Sequence, residues 1–307
     1  MGTERATVAA FVAIVVLGGF NGVEVRALDR ELAPLWGASL RFAIAAAILL
    51  VVVAARGIPL PRGRALLGSL LYGLTAFAGA FGFIHVALVR VPAGVGQVIL
   101  ALVPLLTFIL AVVLTLERFR WLGLAGSAIA LVGVVIVASD GAGADAPFAS
   151  VLEMVAAAGC MAASNVIAKR FPACHPVANN AIAMGVGAAV LGVASLLSGE
   201  RRQWPTDVGA WAALAYLSIV GSVVVFSLFR VLIGRWRASA ASYVMLLMPL
   251  VSIAAAAILA GEPISARLLG GGGVVLAGVY VGALARIAVR APTRASAPAT
   301  AVSPGCA

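Results

Sequence analysis

Apolar residues fall into about ten runs of roughly 18–24 residues, each long enough to span a hydrocarbon core of about 30 Å. The runs lie near 6–23, 33–54, 65–85, 92–115, 121–138, 150–168, 177–197, 208–229, 238–259 and 268–288. Hydrophobic residues make up 63% of the chain and charged residues 10%, too little charge to coat a water-facing core. The sequence therefore predicts an all-α integral membrane protein with ten transmembrane helices. The first run is expected to be a helix and not a signal peptide, because nine further spans follow it. Residues 291–307, rich in Ala, Pro and Ser, are expected to form a disordered tail.

Basic residues set the orientation. With the N-terminus inside, fourteen Lys and Arg fall on the cytoplasmic side and six outside, with Arg41 left within a span. That bias predicts both termini in the cytoplasm and a multi-pass protein of the cell membrane. All five tryptophans, Trp36, Trp121, Trp204, Trp211 and Trp236, fall at or near span ends, where an interfacial belt places them. The net charge of +10 is scattered through short loops without a basic stripe, so nucleic acid is not an expected partner. Cys160, Cys174 and Cys306 make no disulfide framework and no zinc spacing.

An internal repeat carries the step toward function. One offset of 145 places Ala93 on Ala238, Pro104 on Pro249, Glu117 on Glu262, Gly126 on Gly271 and Gly133 on Gly278. Nearly the same offset matches Asn21 with Asn165. Five spans per repeat insert the second half upside down relative to the first. The expected units are 1–140 and 141–290. Inverted repeats recur in secondary transporters, where two halves of opposite topology build outward and inward states.

These residues resemble the drug/metabolite transporter superfamily, and within it the EamA-like ten-helix members. The resemblance covers roughly 6–289. It rests on Pro104, Glu117, Gly126 and Gly133, their second-half copies, and the Pro34-x6-Arg41-Phe-x-x-Ala stretch. It implies alternating access, with export or uptake of small metabolites, amino acids or related amphiphilic compounds, through a central cavity. Export is the favoured direction. The chain departs from the pattern in two places. Its first span reads GGFNGVE without a tryptophan before the asparagine, and Ala183 stands at the Arg41-equivalent spacing after Pro176.

An ionisable group within a span costs about 2.5–3.5 kcal/mol or more, and so marks a functional candidate. Arg41 is the clearest, either binding a substrate carboxylate or pairing with Glu24. Asn21, Arg41, His85 and Gln97 fall in the outer halves of their spans. Asn165, Arg230 and Ser242 stand at the counterparts of Asn21, His85 and Gln97 in the inner half. The two sets are expected to line opposite ends of one aqueous pathway, the alternative being amides that bond neighbouring helices. His85 is a candidate proton carrier or a satisfied polar anchor. Tyr72, Tyr243, Phe77 and Phe81 are candidates for a cavity wall or for packing. Pro104 and Pro249 are expected to kink their helices. Glu117 and Glu262 are expected to cap the helices that follow, and the paired glycines to permit close helix approach.

Enzyme readings find no support. The chain has no recognisable nucleophile, base or paired-carboxylate spacing and no metal motif around Cys174-His175. It has no G-x-x-x-x-G-K-[ST] loop for ATP, and no cofactor is expected. The expected partners are a small-molecule substrate, protons as a candidate coupling ion, and the bilayer. Rival readings are a non-transporting scaffold or receptor-like subunit, and a channel.

Overall fold

The computed structural model describes residues 2–115, 121–141, 148–172, 174–235, 238–261 and 263–281. Those residues form helices α1 (Gly2–Asp29), α2 (Pro34–Ala55), α3 (Gly63–Leu88), α4 (Ala93–Val113) and α5 (Trp121–Gly141). The second half continues with α6 (Phe148–Arg170), α7 (Pro176–Leu197), α8, α9 (Ala238–Ala260) and α10 (Ala266–Val279). Helix α8 runs from Val208 to Arg235. Among the described residues, seven helices are long and apolar enough to cross a membrane, and three shorter apolar helices lie in α5, α9 and α10. No strand occurs among the described residues.

Most helix bounds lie within a few residues of the apolar runs, but α1 and α8 each run six residues beyond the expected end, and the extension of α1 is the consequential one. Helix α1 continues to Asp29. Val25, Leu28 and Leu32 are all buried, so the apolar periodicity carries the helix past charges that look like a loop.

Irregular backbone falls inside α3, α4 and α8. Residues Gly73–Ala80 of α3 and Tyr216–Val224 of α8 are π-helical, a widening that is found at functional sites. The two segments occupy matching places in their halves. Helix α4 breaks between Leu100 and Val103. Pro104 follows the break, and a proline has no N–H to donate to the carbonyl four residues earlier. Helix α9, by contrast, runs through Pro249 without interruption, so the pattern expected at both prolines breaks the helix at one.

Close packing relies on small residues. Helices α2 and α7 pack along their lengths, with Ser39 Oγ donating to the Ala188 carbonyl at 2.8 Å. Helices α5 and α10 form a second extensive pair. Their glycines touch backbone directly: a methyl added at Gly133 would lie 2.5 Å from Val275 N and 2.8 Å from the Gly271 carbonyl. Glu117, Glu262, Trp236, Cys306 and the tail 291–307 lie outside the described residues, as do the side chains of Pro104, Arg230, Ser242 and Tyr243.

Candidate functional site

The π segment of α8 sets the geometry of the polar centre. Ser222 Oγ donates to the Leu217 carbonyl five residues back, as the wider helix allows, and faces α2. There it accepts from Arg41 Nε at 3.0 Å. Arg41 is completely buried, and its guanidinium lies over two rings, 5.1 Å from Phe42 and 4.9 Å from Phe81. Such stacking stabilises a desolvated cation. Both Nη atoms are nonetheless buried without a hydrogen-bond partner among the described residues. The Arg41–Glu24 pair, one of two expectations, does not form among them.

Asn21 joins Arg41 at Gly221. A methyl at Gly221 would overlap Asn21 Oδ1 and sit 3.3 Å from Arg41 Nη2. Asn21 Oδ1 is also buried without a partner among the described residues. Two donors and an acceptor therefore converge, unsatisfied, over a residue that has no side chain. Buried polar groups are ordinarily paired, and leaving one unpaired costs about 1–3 kcal/mol. Tyr216 Oη donates to the Leu17 carbonyl at 2.7 Å, locking α8 against α1 beside this centre.

About two helical turns further along α1, His85 Nδ1 lies 2.9 Å from Asp29 Oδ1, and both side chains are buried. Sequence reasoning named His85 but missed Asp29, because α1 was expected to end before it. Above this pair a polar clasp ties the α1–α2 turn to the segment before α8. Glu200 accepts from the backbone N–H groups of Leu35 and Trp36 at 3.3 and 3.0 Å, capping α2. Trp36 Nε1 donates to the Gln203 carbonyl at 2.7 Å. Glu31 accepts from the Thr206 hydroxyl and from the Thr206 and Asp207 amides.

Those donors, the Thr206 hydroxyl first, hold the Glu31 carboxyl below the usual carboxylate range. A depressed carboxylate contributes above its ordinary range and is lost only as pH falls through the lowered value. Amide exchange at Thr206 and Asp207 is therefore expected to stay protected through mild acidity and to open in strong acid. In Glu31→Gln, protection is expected to be reduced already at neutral pH and to change little as pH falls.

The remaining expected site residues are dispersed. Asn165 is exposed and donates to Thr107 Oγ1 at 3.2 Å, toward the opposite end of the bundle. Gln97 is half-buried in the first segment of α4. Half-buried Tyr72 packs edge-on against Phe77 at 5.7 Å, and Phe77 in turn packs against Phe42, Phe81 and Phe226. Phe77 and Phe81 are thus buried in an aromatic cluster that supports Arg41 from below. Ser222, Gly221, Tyr216 and Glu200 were not singled out from sequence, since small residues and loop charges carry no signal until the helices are assembled.

Comparison with known proteins gives consistent results. The EamA-like transporter family model matches this chain twice, over residues 5–139 and 149–283. A protein of Salmonella typhimurium named as a probable amino-acid metabolite efflux pump is 28% identical over 280 residues, covering 87% of this chain and 91% of its own. An uncharacterized inner membrane transporter of Escherichia coli, YedA, is 28% identical over 259 residues, covering 83% of each. A probable terminal-alkyne amino-acid exporter of Streptantibioticus cattleyicolor is 28% identical over 242 residues, covering 78% and 81%. One solved crystal structure, 20% identical, superposes with a TM-score of 0.63 over 94% of this chain and 99% of its own, a likeness of fold. Two matches to one family that together span most of the chain, on a bundle of apolar helices with a buried polar centre, identify the chain as a member of the EamA-like transporter family: a multi-pass membrane transporter, and not an enzyme.

Proposed function

We propose that this chain is a secondary transporter that exports small metabolites of the amino-acid class by alternating access, with Arg41 receiving the substrate carboxylate. The observation that carries the proposal is the pair of buried, unpartnered Arg41 Nη donors beside the unpartnered Asn21 Oδ1. A carboxylate fits the guanidinium fork through two parallel hydrogen bonds. An ammonium group or another donor on the same substrate fits Asn21 Oδ1. The relatives named as amino-acid exporters support that substrate class and direction.

Two inverted repeats, 1–140 and 141–290, make the machine in this reading, with both termini cytoplasmic. Reciprocal packing supports it. Helix α2 packs on its own counterpart α7, and α5 on α10, while α1 packs on α9 as α6 does on α4. The glycine contacts cross over: Gly133 meets Gly271, and Gly278 meets Gly126. Since Gly126 corresponds to Gly271 and Gly133 to Gly278, a two-fold axis between antiparallel helices requires that exchange. In this orientation the Asp29 end faces outward. It is closed by the Asp29–His85 pair and the Glu31 clasp, whereas Asn165 near the inner end is exposed. Those features fit an inward-facing state.

Counterflow in proteoliposomes, with a pooled panel of labelled amino acids, tests the proposal without presupposing a driving ion. Saturable accumulation of one class is expected. A flux that never saturates would replace the carrier by a channel, and no flux from folded protein would leave a scaffold.

A further inference from the structure

Asp29 and His85 form a buried hydrogen-bonded pair, and the contact uses only half of each group. Asp29 Oδ2 and His85 Nε2 are buried without a hydrogen-bond partner among the described residues. The charges that reach the pair come from several elements. Arg41 on α2 and Glu200 before α8 both act on Asp29, while Tyr216 on α8 faces the region as a neutral phenol that donates to the Leu17 carbonyl. Glu24, Arg26, Arg30 and Glu31 lie on α1 and its exposed turn, and Arg90 follows α3. Glu153 lies on α6, which packs against the last turns of α3.

The Glu200 carboxylate is engaged by the Leu35 and Trp36 amides, which leaves Asp29, His85 and Arg41 as the buried groups to balance. Without substrate, the Asp29 carboxylate and the Arg41 guanidinium offset each other, and a proton added to the pair leaves an excess positive charge. A substrate carboxylate docked on Arg41 takes up the guanidinium charge. Asp29 is then an uncompensated buried anion, which is strongly unfavourable, unless a proton from water settles between it and His85. The two ligands therefore raise each other's affinity, and such coupling is reciprocal.

From this we infer that Asp29 and His85 are the proton-binding site of the transporter, loaded together with the substrate carboxylate at Arg41. The inference rests on the carboxylate-binding reading above. Proton and substrate then cross in one step, and release at the outer mouth frees both. Export of this kind is driven by the internal substrate concentration, opposed by external acid and favoured by external alkali.

Two measurements test it. In the first, proteoliposomes hold a mixture of the labelled protein amino acids and a pH-sensitive dye. Wild-type efflux is expected to alkalinise the interior, with about one proton leaving per amino acid, as obligatory coupling demands. It is expected to run several-fold faster into alkaline than into acidic medium. Asp29→Asn and His85→Gln are expected to lose both the dye response and the pH dependence in whatever amino-acid flux they carry. Wild-type efflux without a dye response overturns the inference, as does a response that survives in both variants.

The second measurement needs no substrate. The chain has two histidines, His85 and His175, so nitrogen-15 histidine labelling in a His175→Gln background isolates His85. Arg41→Gln removes the same positive charge that a carboxylate would engage. It is expected to shift the His85 signal toward imidazolium at neutral pH, relative to the parent, and added Asp29→Asn is expected to reverse the shift. An unchanged signal in folded Arg41→Gln protein overturns the proton site on its own. Should the shift occur while no amino acid in the mixture is moved, the proton site stands and the assigned substrate class falls.

Discussion

Arg41→Gln is expected to abolish saturable counterflow while leaving the melting temperature of the purified protein close to the parent's. The two effects have separate causes. Each hydrogen bond from a charged donor is worth about 1.5–3 kcal/mol, so losing both Nη contacts to a carboxylate lowers affinity by roughly 100-fold or more. Stability moves little, because a neutral amide of similar reach removes the cost of a buried cation with two unsatisfied nitrogens but gives up the stacking on Phe42 and Phe81 and leaves the Asp29–His85 pair to take up a proton. Ser222 Oγ retains its own bond to Leu217, so the π segment of α8 keeps its internal tie. Lysine at this position keeps the charge but not the planar fork, and Arg41→Lys is expected to recover only part of the flux. Gly221→Ala approaches the same centre from the opposite wall: its methyl overlaps Asn21 Oδ1 and is expected to depress counterflow without altering any charge. A melting temperature that falls sharply in Arg41→Gln would instead assign the arginine to the scaffold, and unchanged counterflow would sink it as the substrate anchor.

Arg41 was legible in the sequence because a lone cation inside an apolar run is conspicuous on composition alone. What surrounds it was not. Ser222 and Gly221 are unremarkable in a chain with 34 glycines, and they matter only because a π-helical segment turns them toward α2. No simple periodicity announces such a segment: the run 216–224 reads as apolar under any helical pitch. Asp29 was lost for a different reason. Charges at Glu24, Arg26 and Asp29 mimic a loop when the chain is read in one dimension, whereas burial of Val25 and Leu28 and the partner His85 make that stretch a continuous helix. Helix number and position, by contrast, follow from hydrophobic length, which the bilayer fixes independently of tertiary contacts. The glycine spacing was legible too, because close helix approach demands small residues wherever it occurs. Its crossed pairing, Gly133 with Gly271 and Gly278 with Gly126, required the assembled helices. The same proline stands in both halves yet breaks only α4, because sequence specifies the missing hydrogen bond and packing decides how the helix absorbs it.

The crossed glycine pairing leads to the largest expected loss of stability. Gly133→Val and Gly278→Val are each expected to lower the melting temperature by many degrees, or to prevent accumulation of folded protein. At Gly133 the new side chain would meet Val275 N at 2.5 Å, and at Gly278 it would meet the Gly126 carbonyl at 2.7 Å and Ala130 Cα at 2.8 Å. These are backbone atoms, so no rotamer change relieves the overlap and the helices themselves must part. Overpacking a core typically costs about 1–3 kcal/mol when side chains can yield, and the cost here is expected to reach or exceed the top of that range. Apolar helices in lipid gain little from hydrophobic burial, so their association depends on the close contact that small residues permit. The run Gly270 to Gly273 supplies an internal control. A methyl at Gly271 would lie 2.7 Å from Val137 Cγ2 and 3.0 Å from the Gly133 carbonyl, whereas a methyl at Gly270 or Gly273 meets nothing within 4 Å. Gly270→Ala and Gly273→Ala are therefore expected to stabilise by up to about 1 kcal/mol, the helix-propensity difference, while Gly271→Ala destabilises. Thermal unfolding of the five variants in one detergent separates the contributions. Equal melting temperatures for Gly270→Ala and Gly271→Ala would show that α5 and α10 do not meet through this face. A clear split between them ties stability to one residue in the run, on the side where the two halves of the chain cross.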